Sequence, residues 1–312
     1  MMRGIVMPGG LTTALMRLLL ALLLPGLTAC PSQEPQVHLG SGPRGGTFEV
    51  VAAEVATALN AGAVNGHVRV EPSGGSVDNL LRVQAGELEL GLVFAGDAFL
   101  GAKGELKWGL PPTGEVRALA SLYGATAQLV VLKSGSIRTV RELAGRRIAI
   151  GSSGTGSALA AMRYFQSIGL WDEIIPIHVG YQLAIADLQS ESIDAVWLQV
   201  GVPSDYLHGI AQQTSIRLLD LDASGPDGAL YSRYPFYSPV TIPPGTYLGQ
   251  SQEVHSFADS ALLVAGAGVS EAFAHEALQA LFGERGLQRL RNAQPVLRDL
   301  SPERGLSGVT IP

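Results

Sequence analysis

The chain has a single cysteine, Cys30, so no internal disulfide can staple the fold, and stability must come from a packed core. Charge is also scarce, at 15% of residues with a formal net charge of -6. That balance argues against a basic nucleic-acid surface. No His-x-x-x-His or Cys-x-x-Cys spacing occurs, and none of the six histidines is marked by its neighbours as a metal ligand or base. Nor is there an apolar run of the roughly 20 residues that a spanning helix needs. Aromatic residues are few (6%), whereas glycines are many (39) and hydrophobic residues make up 46% of the 312. Such a composition suits one or two α/β domains with tight strand-to-helix turns.

The first residues read as an export segment and not as part of the folded body. Arg3 and Arg17 precede "LLLALLLPG", which ends in "LTAC" with Cys30. A positive start, a short apolar run and small residues at its end have the pattern of a signal peptide over residues 1–29. "LTAC" resembles the lipobox of bacterial lipoproteins, which implies that Cys30 is lipidated and anchors the mature chain to a membrane; the alternative is an ordinary cleavage site. Residues 30–35 then form a short tether. The expected location is extracytoplasmic, at a membrane surface.

From Val37 onward strand and helix patterns alternate, as in α/β layers. Val37–Leu39 reads as a strand, Thr47–Asn60 as a helix, 67–71 as a strand, 76–85 as a helix with Ser76 at its cap, and 88–94 as a strand. A second series begins near residue 125 and runs through "RRIAIGSSGTGSALAAMRYF" and "DAVWLQVG". "YPFYSPVTIPPGTYLG" reads as a crossover, followed by a strand and C-terminal helices. The expected organisation is two lobes with a cleft between them: 36–120 in lobe one, 121–235 in lobe two, and 236–312 crossing back to complete lobe one. Clefts of this kind are favoured ligand sites.

The turn "GSSGTGS", residues 151–157, raises three chemical possibilities. Ser157 stands where a phosphate-loop lysine belongs, and the glycine order is not that of a dinucleotide fold. A nucleophile elbow, Gly-x-Ser-x-Gly, would need a glycine where Thr155 stands; a secreted serine hydrolase stays as an alternative that requires a histidine near Ser153 or Ser157. The third possibility is anion binding. The first N–H groups of a helix lack partners and its dipole is positive there, so a carboxylate is stabilised at the helix start. No cofactor is called for.

Successive blocks resemble the TAXI-type solute-binding proteins of tripartite ATP-independent periplasmic (TRAP) transporters. They are "LGSGPRGGTFEVVAAEVATALN", "PSGGSVDNLLRVQAGELELGLV", "VRELAGRRIAIGSSGTGSALAAMRYF", "IDAVWLQVGVPS" and "YPFYSPVTIPPGTYLGQ", over roughly residues 36 to 285. The resemblance implies an α/β, two-lobed periplasmic-binding-protein fold of the type II-like Venus-flytrap kind, with hinge-crossing segments. It implies a non-enzymatic receptor that closes on a small carboxylate, such as glutamate or 2-oxoglutarate, and docks on a TRAP membrane permease. A sensory lipoprotein would use the same site without transport. Carried onto this chain, ligand contacts fall at Thr47, Phe48 and Glu49, at Ser76 and Asn79, at Ser153, Gly154, Thr155, Gly156 and Ser157, and at Tyr181 and Gln199. Phe48 and Glu49 depart from the two tyrosines usual in the family. If Glu49 faces the cleft, it favours a ligand ammonium group over a second carboxylate by Coulomb sign.

Overall fold

A computed structural model describes Met1 and residues 35–62, 64–106, 110–221 and 229–303. Apart from Met1, the segment read as an export signal, together with Cys30 and most of the expected tether, lies outside the described residues. The chain divides into two compact units, Met1–Glu34 and Pro35–Pro312, and the second carries the fold.

Strand β1 (Gln36–Gly40), helix α1 (Thr47–Ala61), β2 (His67–Glu71), α2 (Ser76–Gln84) and β3 (Leu90–Phe94) follow one another. Their strands pair in parallel in the order β2-β1-β3. Helix α3 (Ala95–Ala102) leads to the 16-residue strand β4 (Arg117–Leu132). The scheme then repeats: β5 (Arg147–Ala149), α4 (Gly156–Ser167), β6 (Ile175–Ile177), α5 (Tyr181–Gln189) and β7 (Ala195–Val200), with parallel order β7-β5-β6. Helix α6 (Asp205–Gln213), strand β8 (Ile216–Leu219), helix α7 (Ala229–Arg233) and strand β9 (Ser238–Ile242) precede β10 (Val254–Ala265). Helices α8 (Glu271–Phe282) and α9 (Glu284–Ala293) complete the order.

The long strands β4 and β10 run antiparallel to each other, and each also pairs with one triplet: β10 with β3, β4 with β7. They join the two parallel triplets into one sheet and are the segments that cross between lobes. The fold is thus α/β and two-lobed, as expected from the sequence. The boundary expected at residue 121 falls inside β4, which passes through it without a break. The Pro- and Tyr-rich segment read as a crossover contains β9, paired on β10.

Burial explains why these elements form. In α1 the buried residues Phe48, Val51, Ala52, Val55 and Leu59 recur at helical spacing, and they pack with Leu39, Leu92 and Leu263 of the sheet. All five residues of β3 are buried, as a strand inside the sheet, parallel to β1 and antiparallel to β10 and covered on both faces, requires. On the second triplet, Tyr164 and Phe165 of α4 pack on each other and on Trp197 of β7, and Tyr164 and Trp197 pack on Phe257 of β10, with ring centroids 5.3 to 5.9 Å apart. Among the described residues no helix is long and apolar enough to cross a membrane.

Candidate functional site

In open α/β sheets the carboxyl ends of parallel strands are where ligands bind, because helix N-termini gather there. Here the turn after β1 delivers the start of α1, and the turn after β2 the start of α2. Those after β5 and β6 deliver the starts of α4 and α5. Gly46 and Thr47, Gly75 and Ser76, Thr155 and Gly156, and Gly180 and Tyr181 all line one cavity. Three of the four helices, α1, α2 and α5, have glycine at the N-cap and no capping side chain. Their first amides are therefore left for another partner. Gly75 adopts φ 102°, ψ -152°, a conformation from which any side chain would be strained.

Among the described residues, no aspartate, glutamate, lysine, arginine or histidine lines this cavity. Its positive character comes from the backbone, with roughly +0.5 charge at each helix start, offset in part by Glu49 and Asp78 in the first turns of α1 and α2. About 50 Å³ is open to the centre of a water molecule. A single water needs about 10–15 Å³ on that measure, so the space suits a molecule the size of a short-chain acid or an amino acid. On the first triplet the wall is apolar, with Phe48 and Phe94 in contact at 4.8 Å between centroids. On the second it is polar, with Ser157, Tyr181 and Gln199. Burial holds the phenols of Tyr181 and Tyr123 above their ordinary range, so both stay protonated, and the Tyr181 oxygen accepts the Gln199 N–H at 3.5 Å. Thr47 Oγ1 accepts the Gly201 N–H at 3.1 Å, a direct bond between the two triplets.

The expected contact residues divide accordingly. Thr47, Phe48, Ser76, Thr155, Gly156, Ser157, Tyr181 and Gln199 line the cavity. Ser76 is not the helix cap; Gly75 is, and the Ser76 hydroxyl donates to Asp97 Oδ2 at 2.6 Å while accepting the Phe94 N–H at 2.8 Å. Thr155 caps its own helix, accepting the Ala158 N–H and donating to Ser152 O. Four expected contacts are not among the lining residues. Ser153 and Gly154 are exposed on the outer side of their turn. Asn79 is buried beneath the wall, where its Nδ2 donates to Gly40 O, Ser41 O and Leu92 O and ties α2 to β1 and β3. Glu49 folds back to accept the Gly45 N–H at 2.9 Å, so its carboxylate secures the β1–α1 turn. The argument from Glu49 to a ligand ammonium therefore loses its premise. Tyr123, on β4, and Phe94 and Ser152 were missed from the sequence; only strand position and adjacency in the fold identify them.

Behind Ser76 and Gly156 lies a buried ionic network. Asp97 Oδ1 accepts from Arg163 Nη2 at 2.9 Å, with both side chains almost wholly buried. Arg163 also reaches the Tyr237 hydroxyl at 3.4 Å. Burial works to lower the guanidinium pKa, but Tyr237 and Asp97 together hold it above its ordinary value. The Asp259 carboxylate accepts the Gly96 N–H. Burial, then the charge of Asp97, pushes its pKa up to about 8. Among the described residues no group of three or more His, Cys, Asp or Glu is placed to hold a metal, and no histidine lines the cavity with Ser157.

Residues 39–312 match the NMT1-like family. The fold is similar to that of the periplasmic binding protein BugD, with a TM-score of 0.54 and 14% identity over 83% of this chain and 86% of that one. It is similar also to a periplasmic transporter, at 0.51 and 16% over 83% and 87%. A protein from Bordetella bronchiseptica RB50 matches at 0.52 and 15% over 89% and 76%. At these identities the likeness is one of fold.

Proposed function

Because the chain belongs to the NMT1-like family, we propose that it is an extracytoplasmic solute-binding receptor that captures a small carboxylate between its lobes. Its partner in this reading is a TRAP-type membrane permease of the kind served by the TAXI proteins its sequence blocks resemble. The ligand class is a glutamate-like amino acid or a dicarboxylate, and Cys30 carries a lipid anchor. Thr47, Ser157, Tyr181, Gln199 and the amides at the four helix starts hold the ligand, with Phe48 and Phe94 against its hydrocarbon part.

One observation carries this reading: four helix N-termini meet at a cavity that has no charged side chain. An anion there is stabilised by about 0.3–1 kcal/mol per exposed helix end and up to about 2 where water is partly excluded. The test is a thermal-shift panel of glutamate, glutamine, 2-oxoglutarate and short dicarboxylates, on protein unfolded and refolded to strip carried ligand. A ligand at a hundred times its dissociation constant adds about 2.7 kcal/mol of stability, a shift of several degrees. Absence of a shift with every carboxylate in the panel would sink the proposal.

A further inference from the structure

We infer that Tyr206 holds the cleft shut over a bound ligand: its ring, with that of Tyr181, forms a seam against residues 45–47 of the facing lobe. This rests on the receptor reading and adds to it a residue that meets no ligand, since Tyr206 is not among the residues that line the cavity. Tyr206 is the second residue of α6. It is half-buried and packs on the core of the second lobe beside Tyr181, with ring centroids 6.3 Å apart. Burial, then the neighbouring Tyr181, pushes its phenol up to about 12, so the ring carries no charge at neutral pH.

From the second lobe the ring reaches the first. A β-carbon built on Gly45 would lie 3.6 Å from Tyr206 Cε2 and 3.7 Å from its Cδ2, and one built on Gly46 would lie 3.8 Å from Tyr181 Cε2. The next residue, Thr47, accepts the Gly201 N–H at 3.1 Å. Three consecutive residues before and at the start of α1 thus meet three separate elements of the other lobe: α6, α5 and the end of β7. Opening of the cleft on this side separates all three contacts. The turn that receives the rings is held in shape. Gly45 has φ 80°, a conformation that favours glycine. Its N–H donates to Glu49 Oε2 at 2.9 Å, and the Gly46 N–H donates to Pro43 O at 3.1 Å. Glu49 therefore has a part in the seam without facing the ligand: it fixes the surface on which Tyr206 closes. Tyr181 and Gly46 line the cavity, whereas the adjoining pair, Tyr206 and Gly45, does not.

A contact made only in the closed state adds to affinity without selecting among ligands. The experiment is calorimetric titration of the stripped full-length protein with glutamate, glutamine, 2-oxoglutarate and succinate, alongside urea unfolding without ligand. Tyr206→Ala, and Tyr206→Leu as a variant that keeps aliphatic packing within the second lobe, should weaken every probe that binds by a common factor. That factor is about 5- to 50-fold, the loss of roughly 40–90 Å² of apolar contact. Tyr206→Phe should stay within about twofold of wild type, because the ring edge and not the hydroxyl meets Gly45. In the wild-type protein, amide hydrogen exchange over residues 43–48 and over 204–208 should slow together when a probe binds. Affinity within twofold of wild type in a folded Tyr206→Ala or Tyr206→Leu protein, with any loss confined to unliganded stability, would overturn the seam and leave the receptor reading intact. A loss for some probes and not others would put Tyr206 in contact with the ligand and overturn it too, as would unchanged exchange in either segment. Failure of all four probes to bind would remove the receptor reading itself, and this inference with it. The exchange measurement needs no variant, so misfolding cannot shield the claim.

Discussion

Asp259 gives a prediction whose sign and size follow from its position. The carboxyl group is 1% exposed, sits on hinge-crossing strand β10 and accepts the Gly96 N–H with both oxygens, at 3.1 and 3.3 Å. Burial and the nearby Asp97 raise its pKa to about 8, against the opposing pull of the Gly96 hydrogen bond and Arg163. In the unfolded chain the value is about 3.9. Between those two values the folded state holds a proton that the unfolded state has released, so stability falls as pH rises. Below about pH 4 both states are protonated and the contribution is constant; above the folded value of about 8 both are ionised and the loss is complete. The slope within the window is somewhat more than ~1 kcal/mol per pH unit, for a total on the order of 5 kcal/mol.

Asp259→Asn tests this cleanly, because asparagine has the shape of the neutral acid and keeps an oxygen for Gly96, but does not ionise. The assay is equilibrium unfolding in urea from pH 5 to 9, followed by tryptophan fluorescence, with buried Trp197 as one reporter. Near pH 5 the variant should be more stable by only about 1–2 kcal/mol, and by pH 8.5 the gap should have grown by several kcal/mol. All other titrating groups are common to both, so only the difference curve matters. Parallel profiles across that range would refute the reasoning and place the Asp259 pKa in the ordinary carboxylate range.

How much of this could be seen in the sequence depends on the range of the interaction. Helix starts are local, so the glycine-rich turns before Thr47, Ser76 and Gly156 already announced an anion-ready surface, and the repeated strand–turn–helix order announced the α/β lobes. Which serine of 151–157 faces inward was not legible. The turn has Gly154 at φ 78°, and that reversal leaves Ser153 outside and Ser157 inside. Glu49 was misjudged for a related reason. A glutamate in the first turn of a helix can reach forward to a ligand or back to the turn amide, and only the backbone path at Gly45 decides. Asn79 could not be separated from a ligand contact without knowing that α2 crosses over both β1 and β3. Tyr123 and the Asp97–Arg163 pair are products of tertiary adjacency between segments far apart in the chain, and no local pattern marks them.

Two further substitutions separate the scaffold from the site. Asn79→Leu removes the donor shared by three buried carbonyls and should cost about 2–4 kcal/mol in urea unfolding; a loss under ~0.5 kcal/mol would mean that the clamp does not matter. Gly156→Ala probes the contact between the triplets, since a β-carbon there would lie 2.5 Å from Asp97 Oδ2, 2.7 Å from Phe94 Cδ2 and 2.9 Å from Ser76 Cβ. Overpacking of this kind costs about 1–3 kcal/mol. In the proposed receptor the enclosed arrangement is the ligand-bound one, so that cost falls on binding more than on folding. Affinity for whichever carboxylate binds the wild-type protein should drop roughly 10- to 100-fold, by the usual conversion of ~1.4 kcal/mol per decade, while the unliganded protein unfolds at nearly the wild-type urea concentration. Equal losses in affinity and in unliganded stability would show instead that the Gly156 contact belongs to the fold at all times, and that the lobes do not part there.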